Sequence, residues 1–226
     1  MINNKKIGHS IEKLVYELVT SDMAMQDALY RNYANLSALA RLLKDGLLKK
    51  YGKDASLEAI LSALKRSRKK MVSFYEKIYP IIAKSSISVR TNVAKLSIAR
   101  VGRATEIALN VLKGFEESFI HISESLTAIT LIFDESILEK VRIEMRGLKI
   151  LEERAGLAAI TVHSPKEIVT TPGCVLTIYW TLAKAGVNIE DTTSCYTDTI
   201  IVVDMDYVER AFGALTQLVS YSRDVV

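Results

Sequence analysis

The chain has 226 residues, 49% of them hydrophobic, and a formal net charge of +4. This apolar content is enough for a sizeable core and excludes disordered or collagen-like chains. No apolar run reaches the ~18 residues that a membrane span needs, no secretory signal is evident, and only two cysteines occur. We therefore expect a cytoplasmic protein with free thiols and no membrane partner.

Charge is unevenly distributed along the chain. Residues 1–85 contain 16 Lys and Arg against 8 Asp and Glu, whereas residues 86–226 contain 14 against 18. This asymmetry indicates two modules with different partners. The basic module is expected to face a polyanion or an acidic protein surface.

Residues 1–85 are predicted to form a helical domain. Apolar residues recur every three or four positions from Ile11 to Leu18, which is the spacing of an amphipathic helix. Capping residues and further apolar stripes predict helices through Met25–Leu29, over Ala38–Lys44 and after Ser56. Pro80 is predicted to break a later helix, and Lys84 to Ser86 to form a linker.

The last of these helices ends in a run of basic residues. The order of short helix, turn and basic helix resembles a helix-turn-helix or winged-helix module over roughly 50 residues. The resemblance implies phosphate contacts by Lys65, Arg66, Arg68, Lys69 and Lys70. The alternative is that these side chains only complement the helix dipole in solvent. In that case the helical domain would serve dimerisation or docking, without nucleic acid.

Residues 86–226 are predicted to contain one structural unit twice. Strand, helix, strand, strand and helix are expected over 86–150 and again over 151–226, because the segments that begin at Asp134 and Asp204 follow similar apolar runs 70 residues apart. The fold class is α+β: a helical domain followed by two ferredoxin-like βαββαβ repeats. Only Ser222 to Val226 remain for a closing strand, so a neighbouring repeat or a second subunit is expected to complete the sheet.

Three segments of the second repeat carry a family resemblance. They are SPKEIVTTPG at 164–173, LAKAGVNI at 182–189 and SCYTDTIIVVD at 194–204. Together they resemble an ACT domain, most of all the ACT repeats in the regulatory portion of aspartate kinases. The resemblance implies a regulatory protein that binds a small effector, usually an amino acid, at an interface between paired domains. It implies at least a dimer, and the kinase catalytic portion has no counterpart in the sequence.

The resemblance also implies that the loop before the second repeat's first helix contacts the ligand. Pro172 lacks a backbone donor, Gly173 lets backbone N–H groups come close, and the helix start favours a carboxylate. Thr170 and Thr171 add hydroxyl groups. Cys174 is either a thiol with a lowered pKa at the helix start or, as we favour, a small packed residue.

The turn after the same helix supplies the rest of the expected site. Asn188, next to Ile189, matches a position where the family uses an asparagine side chain against the bound amino acid. Asp191 would attract the ammonium group. Each residue also has a purely structural explanation, because Pro-Gly sequences and asparagine are common in turns.

Other functions are disfavoured. The first repeat has no Pro-Gly turn and is expected to be mainly structural. His9, His121 and His163 are widely spaced, so neither a metal site nor a catalytic site is predicted, and no cofactor is expected. Two hypotheses remain: an amino-acid-responsive regulator that binds DNA, and a regulatory subunit of a metabolic enzyme without nucleic-acid binding.

Overall fold

The computed structural model describes residues 10–70, 75–115 and 118–226. The chain divides into two compact units, Met1–Glu76 and Lys77–Val226. This division lies before the expected one at 85/86, because helix Tyr79–Ala83 packs against the last helix of the chain. His9 lies outside the described residues.

The first unit contains four helices in its described residues. They are α1 (Ile11–Thr20), α2 (Met23–Tyr30), α3 (Leu36–Tyr51) and α4 (Leu57–Lys70). Ser10, Asp22 and Asn35 cap the first three, each accepting from backbone N–H groups of the first turn. The unit's described residues include no strand, so they contain no counterpart of the wing of a winged-helix module.

One apolar core joins the four helices. The helix predicted over Ala38–Lys44 is present but longer, because the apolar stripe continues through Leu47 and the helix ends only where Gly52 adopts a left-handed conformation, with φ +62°. The buried core residues are Leu14, Val15, Val19, Leu29, Ala40, Leu43, Leu47, Ala55, Ile60, Ala63 and Leu64.

The second unit is an antiparallel sheet with helices. In chain order its elements are α5 (Tyr79–Ala83), β1 (Ser86–Ala99), α6 (Ala104–Gly114), β2 (Ile120–Glu124), β3 (Ala128–Asp134), α7 (Leu138–Glu144), β4 (Ile150–His163), α8 (Cys174–Lys184), β5 (Asp191–Cys195), β6 (Asp198–Asp204) and α9 (Val208–Asp224). Short 3-10 helices precede α7 and α9 and follow β4. The order strand, helix, strand, strand, helix therefore occurs over residues 86–149, called the first half below, and over residues 150–226, the second half.

The two halves share their long strands. The sheet order is β2-β3-β1-β4-β6-β5. Residues 93–99 of β1 pair with β3. Residues 86–90 of β1 extend past the end of β3 and pair with the part of β4 that also pairs with β6. The start of β1 thus closes the second half, and the start of β4 closes the first. No closing strand is needed from Ser222 to Val226, where the structure instead continues α9 to Asp224.

Each shared strand bends near its middle. Asn92 in β1 and Gly156 in β4 occupy equivalent places and have φ of +56° and +70°. The β1–β4 register shifts near the same point, as expected of a β-bulge. The bend separates the part of each strand that belongs to one half from the part that belongs to the other.

Helices cover one face of the sheet. In the first half, α6 and α7 pack on alternating residues of β1 and β3, among them Leu96, Leu131 and Phe133. In the second half, the buried residues include Ile160 and Val203 of the sheet and Ile178 and Leu215 of α8 and α9. The predicted arrangement with helices on one face is thus present.

The opposite face is enclosed as well. Although β2 and β5 are the outermost strands, His121 Nε2 in β2 lies 3.1 Å from Thr193 Oγ1 in β5. The sheet is therefore bent until its edges meet. The apolar residues buried on this face are Val93, Ile132, Leu157, Ala159, Ile200 and Val202, with Phe119 packed against them.

Two local predictions before β1 were wrong. Pro80 does not break a helix but lies in the first turn of α5, where its missing N–H has no helical partner to lose. Ser85 is not a linker residue: it is buried, its hydroxyl donates to the carbonyl of Ile81 at 3.1 Å, and the hydroxyl oxygens of Ser85 and Ser164 lie 3.1 Å apart.

Candidate functional site

The loop between β4 and α8 ends in a left-handed glycine. Gly173 has φ +97° and is the residue before α8, a conformation that residues with a Cβ rarely adopt. Its carbonyl accepts from both the backbone N–H and the hydroxyl of Thr177, each at 2.9 Å. No side chain of the described residues caps the first turn of α8, so N–H groups there are free for an acceptor.

The side chains of this loop differ in exposure. Thr170 and Pro172 are exposed, and Thr171 is half-buried. Cys174 is fully buried, and burial raises the pKa of its thiol. The lowered thiol pKa considered for a helix start is therefore wrong, and Cys174 is the small packed residue that we favoured.

The turn after α8 is tied to the sheet by polar contacts. The exposed Asn188 donates from Nδ2 to Glu190 Oε1 at 3.0 Å. Arg154 in β4 holds Glu190 at 3.2 Å and Asp204 at 3.1 Å. Asp191 accepts from the backbone N–H of Thr192 at 2.7 Å, and Ile189 is half-buried beside it.

The structure does not bring the two parts of the expected site together within one chain. Gly173 precedes the first residue of α8, and Asn188 follows its last residue, Lys184. A helix of this length spans ~16 Å, and a free amino acid is much shorter. Thr170, Thr171, Pro172, Gly173 and Cys174 therefore lie at one end of α8, and Asn188, Ile189 and Asp191 lie toward the other.

A polar cluster lies on the enclosed face of the sheet. Lys95 is 5% exposed and donates to Glu152 at 2.9 Å and to the carbonyl of Glu190 at 3.3 Å. Burial lowers the pKa of the His121 imidazole, and nearby Asp191 opposes that shift. The cluster couples β1 and β2 to the start of β5.

A groove between the end of α8 and α9 was missed by sequence reasoning. It has a volume of about 510 Å³ and is lined by Ala185, Asp206, Glu209, Arg210, Gly213, Ala214 and Gln217. The small residues form its apolar walls, and charged side chains surround them. One feature of the sequence could have indicated the groove. Phe115 and Ala185 occupy corresponding positions, because each directly follows a helix of 11 residues, and only the second is small.

The basic residues proposed for phosphate contacts lie at the end of α4, largely exposed. Three of the five already have partners within the first unit. Arg66 and Lys70 pair with Glu12 at 2.8 and 2.7 Å, and the hydrogen bond from Lys70 is the main cause that lowers the pKa of that carboxyl. Arg68 donates to Asn32.

One arrangement of residues has the order of a hydrolase triad. Ser88 Oγ lies 3.2 Å from His163 Nε2, and His163 Nδ1 lies 2.9 Å from Asp198 Oδ1. These side chains lie on the open surface of neighbouring strands, and neither of the two described cavities includes them. Among the described residues, no group of His, Cys, Asp and Glu could hold a metal ion.

Comparison with known proteins finds one family-model match, and it lies within the second half. Residues 152–217 match the family model of the ACT domain. A search of curated proteins found no match. Within 10–70, 75–115 and 118–226, no helix is long and apolar enough to cross a membrane.

Solved structures extend the likeness to the fold. The aspartate kinase from Synechocystis is similar with a TM-score of 0.52 and 18% identity over 61% of this chain and 27% of that one. The aspartate kinase from Clostridium acetobutylicum gives 0.49 and 19%, and this chain covers 34% of its length. The ligand-free regulatory subunit of the Thermus thermophilus aspartate kinase gives 0.49 and 15%, over 58% of this chain and 95% of that one. The Synechocystis likeness establishes a shared fold.

Proposed function

We propose that residues 77–226 form a non-catalytic regulatory unit that binds a small effector, an amino acid. The observation that carries the proposal is the ACT-domain match of residues 152–217, on a chain whose second unit has the βαββα order twice. We further propose that the first half is a second, degenerate ACT-like repeat that mainly supplies sheet. The protein is proposed to act in the cytoplasm without a cofactor.

The start of α8 is suited to the carboxylate of an amino acid. Backbone N–H groups of its first turn have no side-chain cap, and the partial positive charge of a helix start favours an anion. Gly173 places the chain in a left-handed turn directly before these donors. The hydroxyl of Thr171 lies within the same loop and adds a further donor, and the hydroxyl of Thr170, which donates to the Glu167 carbonyl at 3.4 Å, can still accept.

The turn after α8 is suited to the ammonium group. Asn188 Oδ1 can accept from an ammonium group while its Nδ2 donates to Glu190. The carboxylate of Asp191 supplies a negative charge two residues beyond Ile189. Arg154 fixes the position of this turn through Glu190 and Asp204.

A second copy of the chain would bring both ends of α8 into one site. If two α8 helices pack antiparallel across a two-fold axis, the start of each lies beside the end of the other. Leu176 and Trp180, which are 42% and 58% exposed, are one helical turn apart on the outer side of α8 and would form the contact. At least a dimer is therefore part of the proposal, with two equivalent sites.

Calorimetric titration of the twenty standard amino acids tests this proposal. At least one amino acid should bind to the full chain, and Asn188→Ala should weaken that binding about tenfold or more. Ser118→Ala is the matched control, since Ser118 lies at the corresponding place before β2. Trp180→Asp should yield monomers in sedimentation and lose binding. Absence of any binding to the unaltered dimer would refute the effector proposal.

The helical unit is proposed to transmit the signal to a second macromolecule. Because Glu12 pairs with both Arg66 and Lys70, these side chains are less available to phosphates, and we favour a protein partner, a metabolic enzyme, over DNA. DNA remains the second candidate because Lys65 and Lys69 stay exposed. Binding to duplex DNA at low salt that weakens steeply with added salt would favour DNA, whereas co-purification with an enzyme whose activity then responds to the amino acid would favour the protein partner.

A further inference from the structure

The groove between α8 and α9 differs from the equivalent place in the first half. Helices α6 and α8 each have 11 residues and are followed by Phe115 and Ala185 respectively. In the first half, the Phe115 ring packs on the core and the Lys140 ammonium lies 5.9 Å from the ring centroid. In the second half, Ala185 provides no ring, and the space becomes the groove of about 510 Å³.

The charges around the two places also differ. In the first half, Glu139 of α7 pairs with Arg142 of the same helix. The corresponding residues of α9 are Glu209 and Phe212. Glu209 therefore has no arginine at the position where Arg142 pairs with Glu139. Among the described residues, Asp206, Glu209 and Arg210 form no ion pair.

Arg210 is placed to face the groove. Its guanidinium lies 5.8 Å from the centroid of the Tyr207 ring, and its Nη1 lies 3.9 Å from where a Cβ on Gly186 would be. Most arginines of this unit pair with a carboxylate, including Arg90, Arg100 and Arg142. Arg210 instead lines the groove together with the unpaired carboxylates of Asp206 and Glu209.

We propose that this groove is a binding site for a free amino acid. The ligand's carboxylate pairs with Arg210, its ammonium group pairs with Asp206 or Glu209, and its side chain lies against Ala185, Gly213 and Ala214. The excess of one acidic group favours an amino acid with a second amine. This site rests on the amino-acid-binding function proposed above but is distinct from the loop at Gly173.

The first half suggests the most direct variant. Ala185→Phe places in the second half the ring that fills the equivalent space in the first, and it should weaken amino-acid binding about tenfold or more by occluding the groove. Arg210→Gln keeps the size of the groove and removes the positive charge, and it should weaken binding by a similar factor. Arg146→Gln is the matched control, because Arg146 is exposed in the first half.

Calorimetry on the full chain, with circular dichroism to confirm folding of each variant, separates the outcomes. Loss of one set of sites from the titration in both Ala185→Phe and Arg210→Gln, with Arg146→Gln unchanged, supports the groove. Unchanged binding in both variants overturns the groove and leaves the effector function standing. If the unaltered chain binds no amino acid, both proposals fall. If the groove variants lose binding while Asn188→Ala retains it, the groove stands and the site at Gly173 and Asn188 falls.

Discussion

The two halves of the second unit share one order of elements but differ where their first helices end. Phe115 closes the end of α6, whereas Ala185 leaves a groove at the end of α8. Among the described residues, the ion pairs that the two halves share lie near the bend, where Arg90 pairs with Asp134 and Arg154 with Asp204. The comparison indicates that the sheet and its bend are common structure, and that the halves differ in the groove at Ala185, where the first half has Phe115.

The largest effect is expected from a cavity in the first half. Phe133 is fully buried, so Phe133→Ala should lower the free energy of unfolding by about 3–5 kcal/mol. Because β1 and β4 serve both halves, the second half should unfold with the first. The only tryptophan, Trp180, lies in α8, and its fluorescence should report the lower urea midpoint. If the urea midpoint reported by Trp180 fluorescence is the same in Phe133→Ala as in the unaltered chain, the two halves fold independently.

The next largest effect is expected from substitutions at the bends in the shared strands. Gly156 has φ +70°, so Gly156→Val should lower the free energy of unfolding by about 1–3 kcal/mol through backbone strain. Gly156→Asn is the control, because Asn92 adopts φ +56° at the equivalent place, and it should have a much smaller effect. Thermal unfolding measures both variants. An equal loss of unfolding free energy in the two variants would show that Gly156 does not stabilise the chain by allowing a left-handed conformation.

The two equivalent arginines should differ by a smaller amount. Arg154 holds two carboxylates, one of them Glu190, whose side chain is only 16% exposed. Arg90 pairs with one, Asp134. Arg154→Met should therefore lower the free energy of unfolding by about 0.5–1 kcal/mol more than Arg90→Met, because it leaves a partly buried carboxylate unpaired. Urea unfolding at neutral pH makes the comparison, and a larger loss for Arg90→Met would reverse the expected order.

The smallest effect is expected from His121, at the contact between the edge strands β2 and β5. Burial lowers the pKa of His121 in the folded chain below its ordinary value. The stability that this neutral imidazole contributes is present above the unfolded pKa and declines as the pH falls through the window between the unfolded and folded values. Between pH 7 and 5, the free energy of unfolding should therefore fall more for the unaltered chain than for His121→Gln. Parallel pH profiles would exclude His121 as the cause.

Much of this fold could be predicted from periodicity and caps. The helix expected between the Gly173 loop and the Asn188 turn is present as α8 over Cys174–Lys184, because Gly173 and Gly186 mark its ends. The length of β4 could not be predicted, since residues 150–156 are largely exposed and gain their strand character from pairing with β1. Such pairing joins residues far apart in the chain, so no local pattern indicates it.

The candidate site was predicted less completely than the fold. The family resemblance named residues at both ends of α8, but it did not show whether they meet within one chain or only across two copies of it. The groove depends on which side chains are small, at Ala185 and Gly213, and on charges left unpaired in three dimensions. Neither property has a sequence motif.

Hydrogen exchange with mass spectrometry, with and without the amino acid that binds best, tests most directly whether the second half alone is the ligand-binding half. Protection should increase in residues 164–190 and 205–217. The corresponding first-half segments, residues 100–115 and 135–147, should exchange at the same rate with and without ligand. Equal protection in both halves, or protection confined to the first half, would contradict the assignment.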